Sequence, residues 1–131
     1  MIKSQFIADI IDLLCDNDDV DPKILSAIPT LSEGKCEYTE YGFMLELIPE
    51  TNEVKFEPGY RSVLDGVLME CSELESGAWT MLFVGDTGIA LEIMSRAGDA
   101  YPTNEIVNYK LTQDWINSKK REIIRGQYDC R

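Results

Sequence analysis

Apolar positions near the start of the chain recur with a helical period. Phe6, Ile7, Ile10, Ile11 and Leu14 follow Ser4, with Asp9 and Asp12 between them. A stripe of that width on one side of a 3.6-residue repeat predicts an amphipathic helix ending near Cys15, with Ser4 as its N-cap. Asp16-Asn17-Asp18-Asp19-Val20-Asp21-Pro22 reads as a loop. Asp21 is placed to cap a second short helix with Pro22 at its first position, carrying Ile24, Leu25 and Ile28 and stopped by Pro29.

From Lys35 the period changes to two. Cys36 to Tyr41 is a short polar segment, and Phe43, Leu45 and Leu47 alternate with Met44, Glu46 and Ile48. Pro49-Glu50-Thr51-Asn52 reads as a turn, after which Val54 and Phe56 alternate with charged residues until Pro58-Gly59. The expectation is a hairpin with one buried face. Val63, Leu64, Val67, Leu68 and Cys71 fit a helix over about 60–74, interrupted by Gly66, which marks close packing or a bend. Ser76-Gly77 reads as a break. Ala78 to Val84 is apolar on both alternating sets, which predicts a central strand covered on both sides. Gly85-Asp86-Thr87-Gly88 is a tight connection to Ile89, Leu91 and Ile93. After a loop at 98–104, residues 105–110 suggest one more strand. Thr112 caps an expected final helix with Trp115, Ile116, Ile123 and Ile124, closed by Gly126.

The resulting fold class is α+β: a single domain over residues 1–131, with an antiparallel sheet of about five strands and helices packed against it. Apolar residues at 44% suffice for one core.

Charge adds the most to this picture. The formal net charge is -12. Residues 1–105 hold 21 acids against 6 bases, while residues 106–131 hold 3 acids against 6 bases. A field of this sign repels nucleic-acid phosphates and anionic headgroups and draws basic surfaces toward it. Direct nucleic-acid or membrane binding is therefore not expected. Lys119, Lys120, Arg121 and Arg125 fall at the end of the expected last helix, where the helix dipole favours cations.

Chemistry-bearing motifs are sparse. There is no histidine, which removes the commonest general base and zinc ligand. Cys15, Cys36, Cys71 and Cys130 are far apart and form no CxxC pair, so they read as reduced thiols of a cytoplasmic protein, with no leader or membrane span expected. Asp86-Thr87-Gly88 matches the Asp-Thr-Gly of aspartic proteases, but a hairpin turn needs Asp and Gly for backbone reasons, and no flap pattern follows. Asp16 to Asp21 lacks the glycine and bidentate glutamate of a calcium loop. Ser32-Glu33-Gly34-Lys35 has Ser-x-x-Lys spacing without its companion motifs. No catalytic residue, metal ligand or cofactor is assigned, and a binder is expected rather than an enzyme.

Three acidic groups are the candidate partner-binding residues: Asp16, Asp18 and Asp19 in the loop; Glu37 and Glu40 beside the aromatic Tyr38 and Tyr41; and Glu70, Glu73 and Glu75, of which Glu70 and Glu73 would share a helix face. A small, acidic, histidine-free domain of this kind resembles the immunity proteins of bacterial toxin systems, including contact-dependent inhibition. That resemblance implies a cognate toxin domain, often basic, whose active site is occluded. The element order also looks like that of type III secretion chaperones, which would imply a secreted effector as partner. A nucleic-acid mimic is a third reading. Monomer and dimer both remain open.

Overall fold

The computed structural model describes residues 1–50 and 55–128. Two helices, α1 (Gln5–Cys15) and α2 (Pro22–Ala27), precede seven strands: β1 (Leu31–Tyr38), β2 (Gly42–Pro49), β3 (Arg61–Cys71), β4 (Leu74–Gly85), β5 (Gly88–Ser95), β6 (Tyr109–Gln113) and β7 (Glu122–Arg125). All pair antiparallel in one sheet of order β1-β2-β5-β4-β3-β6-β7. The class is the expected α+β, with seven strands rather than about five.

Both helices start as their caps dictate. The Ser4 hydroxyl accepts from the Ile7 amide, and the Asp21 carboxylate accepts from Lys23 with Pro22 following. α1 buries Phe6, Ile7, Ile10, Ile11, Leu13 and Leu14. They pack on the inner face of the sheet, built from Leu45 and Leu47 of β2, Leu91 and Ile93 of β5, Leu82 of β4, Val67 and Met69 of β3 and Leu111 of β6. Each such side chain contributes roughly 1.5–3 kcal/mol of apolar burial. No helix among the described residues is long and apolar enough to cross a membrane.

The segment expected as a helix over 60–74 is strand β3. Its register against β4 shifts between Asp65 and Val67. Gly66 sits in that bulge with φ of +102°, where an added Cβ would lie 2.8 Å from Trp115 Cε3. The bulge exchanges the two faces of the strand. Ser62 and Leu64 pair with inward-facing Val84 and Leu82 before it, and Val67 and Met69 pair with inward-facing Thr80 and Ala78 after it. One odd step inside a period-two pattern reproduces helical spacing for Val63, Leu64, Val67, Leu68 and Cys71.

The expected final helix is also absent. Thr112 lies within β6, Trp115 in the following connection, and Ile123 and Ile124 in β7. Asn117 and Lys120 take positive φ in that connection, which ends an L-residue helix. Lys119, Arg121 and Arg125 are therefore not a helix terminus. Arg125 pairs with Asp9, Arg121 with Asp12 and Asp16, and Lys119 with Asp16.

Smaller differences follow the same logic. β1 begins at Leu31 rather than Cys36, and the strand expected at 105–110 begins at Tyr109. Ser76-Gly77 lies inside β4. The expected hairpin of β2 with Val54 and Phe56 is not formed by the described residues: Val54 lies outside them, Phe56 is in no strand, and β2 pairs with β1 and β5. Asp86 and Thr87 form the two-residue β4–β5 turn, where the Asp86 carboxylate accepts from the Gly59 amide at 2.8 Å.

Candidate binding surface

The helices cover one face of the sheet only. β4 was expected to be buried on both sides. Ala78, Thr80, Leu82 and Val84 are buried, but Trp79 and Met81 are half-buried and Phe83 is exposed. Cross-strand register assembles the neighbours of these three on the open face. Trp79 stands beside Met94 of β5 and Leu68 of β3; Met81 beside Glu92 and Asp65; Phe83 beside Ala90 and Val63. One strand further, Met44 stands beside Glu92, and Glu46 beside Ala90. Glu37 of β1 follows next to Met44.

The open face thus carries one Trp, one Phe and three Met side chains, with Glu92 standing between Met44 and Met81 and with Glu37, Glu46 and Asp65 at the sides. Met44 and Met94 are each 38% exposed and Phe83 36%. Met side chains adapt to irregular partners, and aromatic side chains carry large area at small entropic cost. The Arg96 guanidinium lies 4.9 Å from the Trp79 ring centroid and covers part of that ring. A hollow of about 300 Å³ opens where small Ala90 lies between Met44 and Phe83, with Lys35, Glu37 and Glu46 at its rim.

A second cavity of about 300 Å³ borders β1 on the opposite, core side. Its walls include Cys36, Tyr38, Phe43 and Tyr101, with Glu33 and Glu105 at the rim. The three rings form a cluster, with Tyr38 5.1 Å from Phe43 and both 6.3 Å from Tyr101. Burial pushes the Tyr38 and Tyr101 hydroxyls above the ordinary tyrosine range, so both stay protonated at neutral pH.

The sequence-derived candidates divide accordingly. Glu37, Tyr38, Glu40 and Tyr41 share one corner of the sheet, but Glu37 faces the open side and Tyr38 the core-side cavity. Glu40 and Tyr41 form the β1–β2 turn, and their carbonyls accept from Tyr101 and Ser95 at 2.8 Å each. Asp16 is engaged within the molecule: Arg121 donates to it at 2.7 Å and Lys119 also pairs with it, which lowers its pKa. Asp18 and Asp19 remain exposed beside the loop of Ile116. Glu70, Glu73 and Glu75 share no helix face. Glu70 is on the open face opposite Lys110, Glu73 is in the β3–β4 turn, and Glu75 is exposed at the start of β4.

Sequence reasoning missed Trp79, Met81, Phe83, Met44 and Met94 together with Glu46, Glu92 and Asp65. A usable signal was present, since the positions that alternate with the buried Leu and Ile of β2 and β5 include Met44, Glu46, Glu92 and Met94, a mixture that suits an uncovered surface. Among the described residues, no group of three or more His, Cys, Asp or Glu side chains is placed to hold a metal ion. Cys15, Cys36 and Cys71 are free thiols. Compared with protein-family models, curated proteins and solved structures, the chain matches none of them.

Proposed function

We propose that this chain is an acidic protein-binding module whose open sheet face docks a basic partner, and that it acts as an immunity protein by covering the active site of a cognate toxin domain. The observation that carries the reading is the uncovered apolar set of Trp79, Met81, Phe83, Met44 and Met94, with Glu92 in its midst and Glu37, Glu46 and Asp65 beside it. Exposed apolar surface among mainly acidic side chains, with Lys35 and Arg96 as the cations beside it, suits a partner with an apolar centre and a basic rim.

Internal pairing supports the same side. Asp9, Asp12 and Asp16 of the α1 region are offset by Arg125, Arg121 and Lys119. On the open face, among the described residues, Glu46, Glu92 and Asp65 form no ion pair, and Glu37 pairs with Lys35 at 3.3 Å. These carboxylates leave negative field on the open face, which speeds encounter with cationic surfaces. The element order that suggested a secretion chaperone is not the one found, because β3 and β6–β7 replace two of its helices.

The test is protection. The chain is co-expressed with the toxin domain encoded by the adjacent reading frame, and growth is scored for wild type and for Phe83→Ser and Met81→Ser. Protection by the wild type that is lost in the folded face variants supports the reading. Equal protection by all three removes the open face from the function.

A further inference from the structure

β1 is an edge strand, paired on one side by β2 and by nothing among the described residues on the other. Its free backbone groups follow from the turn. The Thr39 amide donates to the Gly42 carbonyl at 2.9 Å, which makes that pair a hydrogen-bonded one. Antiparallel pairs alternate, so Glu37 bonds toward Met44, while Tyr38 opposite Phe43 and Cys36 opposite Leu45 turn their N–H and C=O groups to the free edge. The bulge between Glu33 and Cys36 bounds this stretch on one side and the β1–β2 turn on the other.

The two cavities flank the same stretch from opposite faces. Cys36 and Tyr38 wall the core-side cavity, and Lys35 and Glu37 border the open-face hollow. A strand added to this edge sends successive side chains to opposite faces. Carboxylates stand at both sites: Glu33 and Glu105 on the core side, Glu37 and Glu46 on the open side. We infer that β1 receives an extended, basic segment of the protein partner by strand addition, with alternate side chains of that segment entering the two cavities. Backbone bonds at Cys36 and Tyr38 hold the segment, and the cavities select it. A second copy of this chain is a poorer occupant, because an antiparallel pair of β1 edges that matched Cys36 with Tyr38 would bring Glu37 against its own copy.

This inference rests on the proposed binding of a basic partner but is tested apart from it. The probe is a short capped peptide alternating arginine and valine, added to the intact chain and followed by amide NMR. The expected result is roughly tenfold slower exchange of the Cys36 and Tyr38 amides, with shifts at Phe43, Tyr101 and Met44. Cys36→Pro removes an edge donor that no ladder bond uses, and it should weaken the peptide about tenfold. The same peptide N-methylated at alternate backbone positions should fail on the wild type, which tests the edge without altering the fold. No binding, or equal binding by the N-methylated peptide, overturns the inference, as does protection of Cys36 by self-association alone. If the edge tests fail while Phe83→Ser still abolishes protection against the toxin, strand addition is wrong and open-face docking stands.

Discussion

The Tyr109 hydroxyl donates to the Asp9 carboxylate at 2.7 Å, between residues 100 positions apart. Asp9 is buried and also accepts from Arg125 Nε at 2.8 Å and from Gln5 at 2.7 Å. It fixes α1 against the far side of the sheet. Asp9→Ala leaves the Tyr109 hydroxyl without its acceptor and Arg125 without its counterion. The expected loss is about 2–3 kcal/mol, read as a lower midpoint in urea unfolding with an unchanged slope.

The same carboxylate sets an acid limit. Burial alone would raise its pKa, but the hydrogen bonds from Arg125, Tyr109 and Gln5 outweigh it, and the net shift is downward. A depressed folded-state value stabilises the fold at any pH above the unfolded value. That contribution is lost as pH falls through the folded value, below about pH 4. The expectation is a stability plateau from neutral pH down to that region, followed by a decline that Asp9→Asn makes shallower. Urea midpoints measured across acid pH check it, and equal slopes in the two proteins would exclude Asp9 as the source.

Gly66 should resist substitution. A side chain there needs a positive φ and meets Trp115 Cε3 at 2.8 Å. Gly66→Ala is expected to cost about 2 kcal/mol and to perturb tryptophan fluorescence. Trp115→Ala combined with it should recover the part due to the clash, leaving the part due to backbone conformation.

The two faces of β4 should respond oppositely. Leu82→Ala opens a cavity beneath α1 and should cost about 3 kcal/mol. Phe83→Ser, one position along, removes an exposed side chain and should change stability by less than about 0.5 kcal/mol while abolishing partner binding. Thermal unfolding of the pair checks the sidedness of the sheet.

Thiol reactivity gives a fifth check. Burial pushes the Cys15 thiol up to about 12, and Cys71 is raised by burial as well. Cys36 is exposed on the edge strand. In a Cys130→Ser background, alkylation at neutral pH should label Cys36 first and reach Cys15 and Cys71 only on unfolding. Mass spectrometry of the labelled protein reads the order.

Local signals made part of this fold legible. Ser4, Asp21 and Pro22 announced both helices because capping is decided within a few residues. β2, β4 and β5 showed in the alternation of Phe43, Leu45 and Leu47 and of Ile89, Leu91 and Ile93. β3 was misread because one bulge at Gly66 changes the parity of its pattern, and a bulge is defined by the partner strand rather than by its own residues. The end of the chain was misread because Ile123 and Ile124 pair with the preceding strand β6, while Lys119 and Arg121 find their partners at the far-off end of α1, in Asp12 and Asp16. At the site, acidity marked the right corner around Glu37 and Tyr38. The open face escaped notice because the same Trp, Met and Phe pattern fits a strand covered on both sides.

Sheet order has a consequence for how the molecule is made. The neighbours β3, β4 and β5 come from the middle of the chain and form the middle of the sheet, while β1 and β7 close its two edges. α1 precedes the sheet in the chain, whereas Tyr109, Arg121 and Arg125, which hold it, follow β5. On the ribosome the apolar stripe of α1 can meet β2 to β5 first, but its polar anchors must wait for β6 and β7. The helix is therefore locked only after β6 and β7 emerge, and a nascent chain halted before β6 would leave Phe6 without the Tyr109 ring and Asp9 without Arg125.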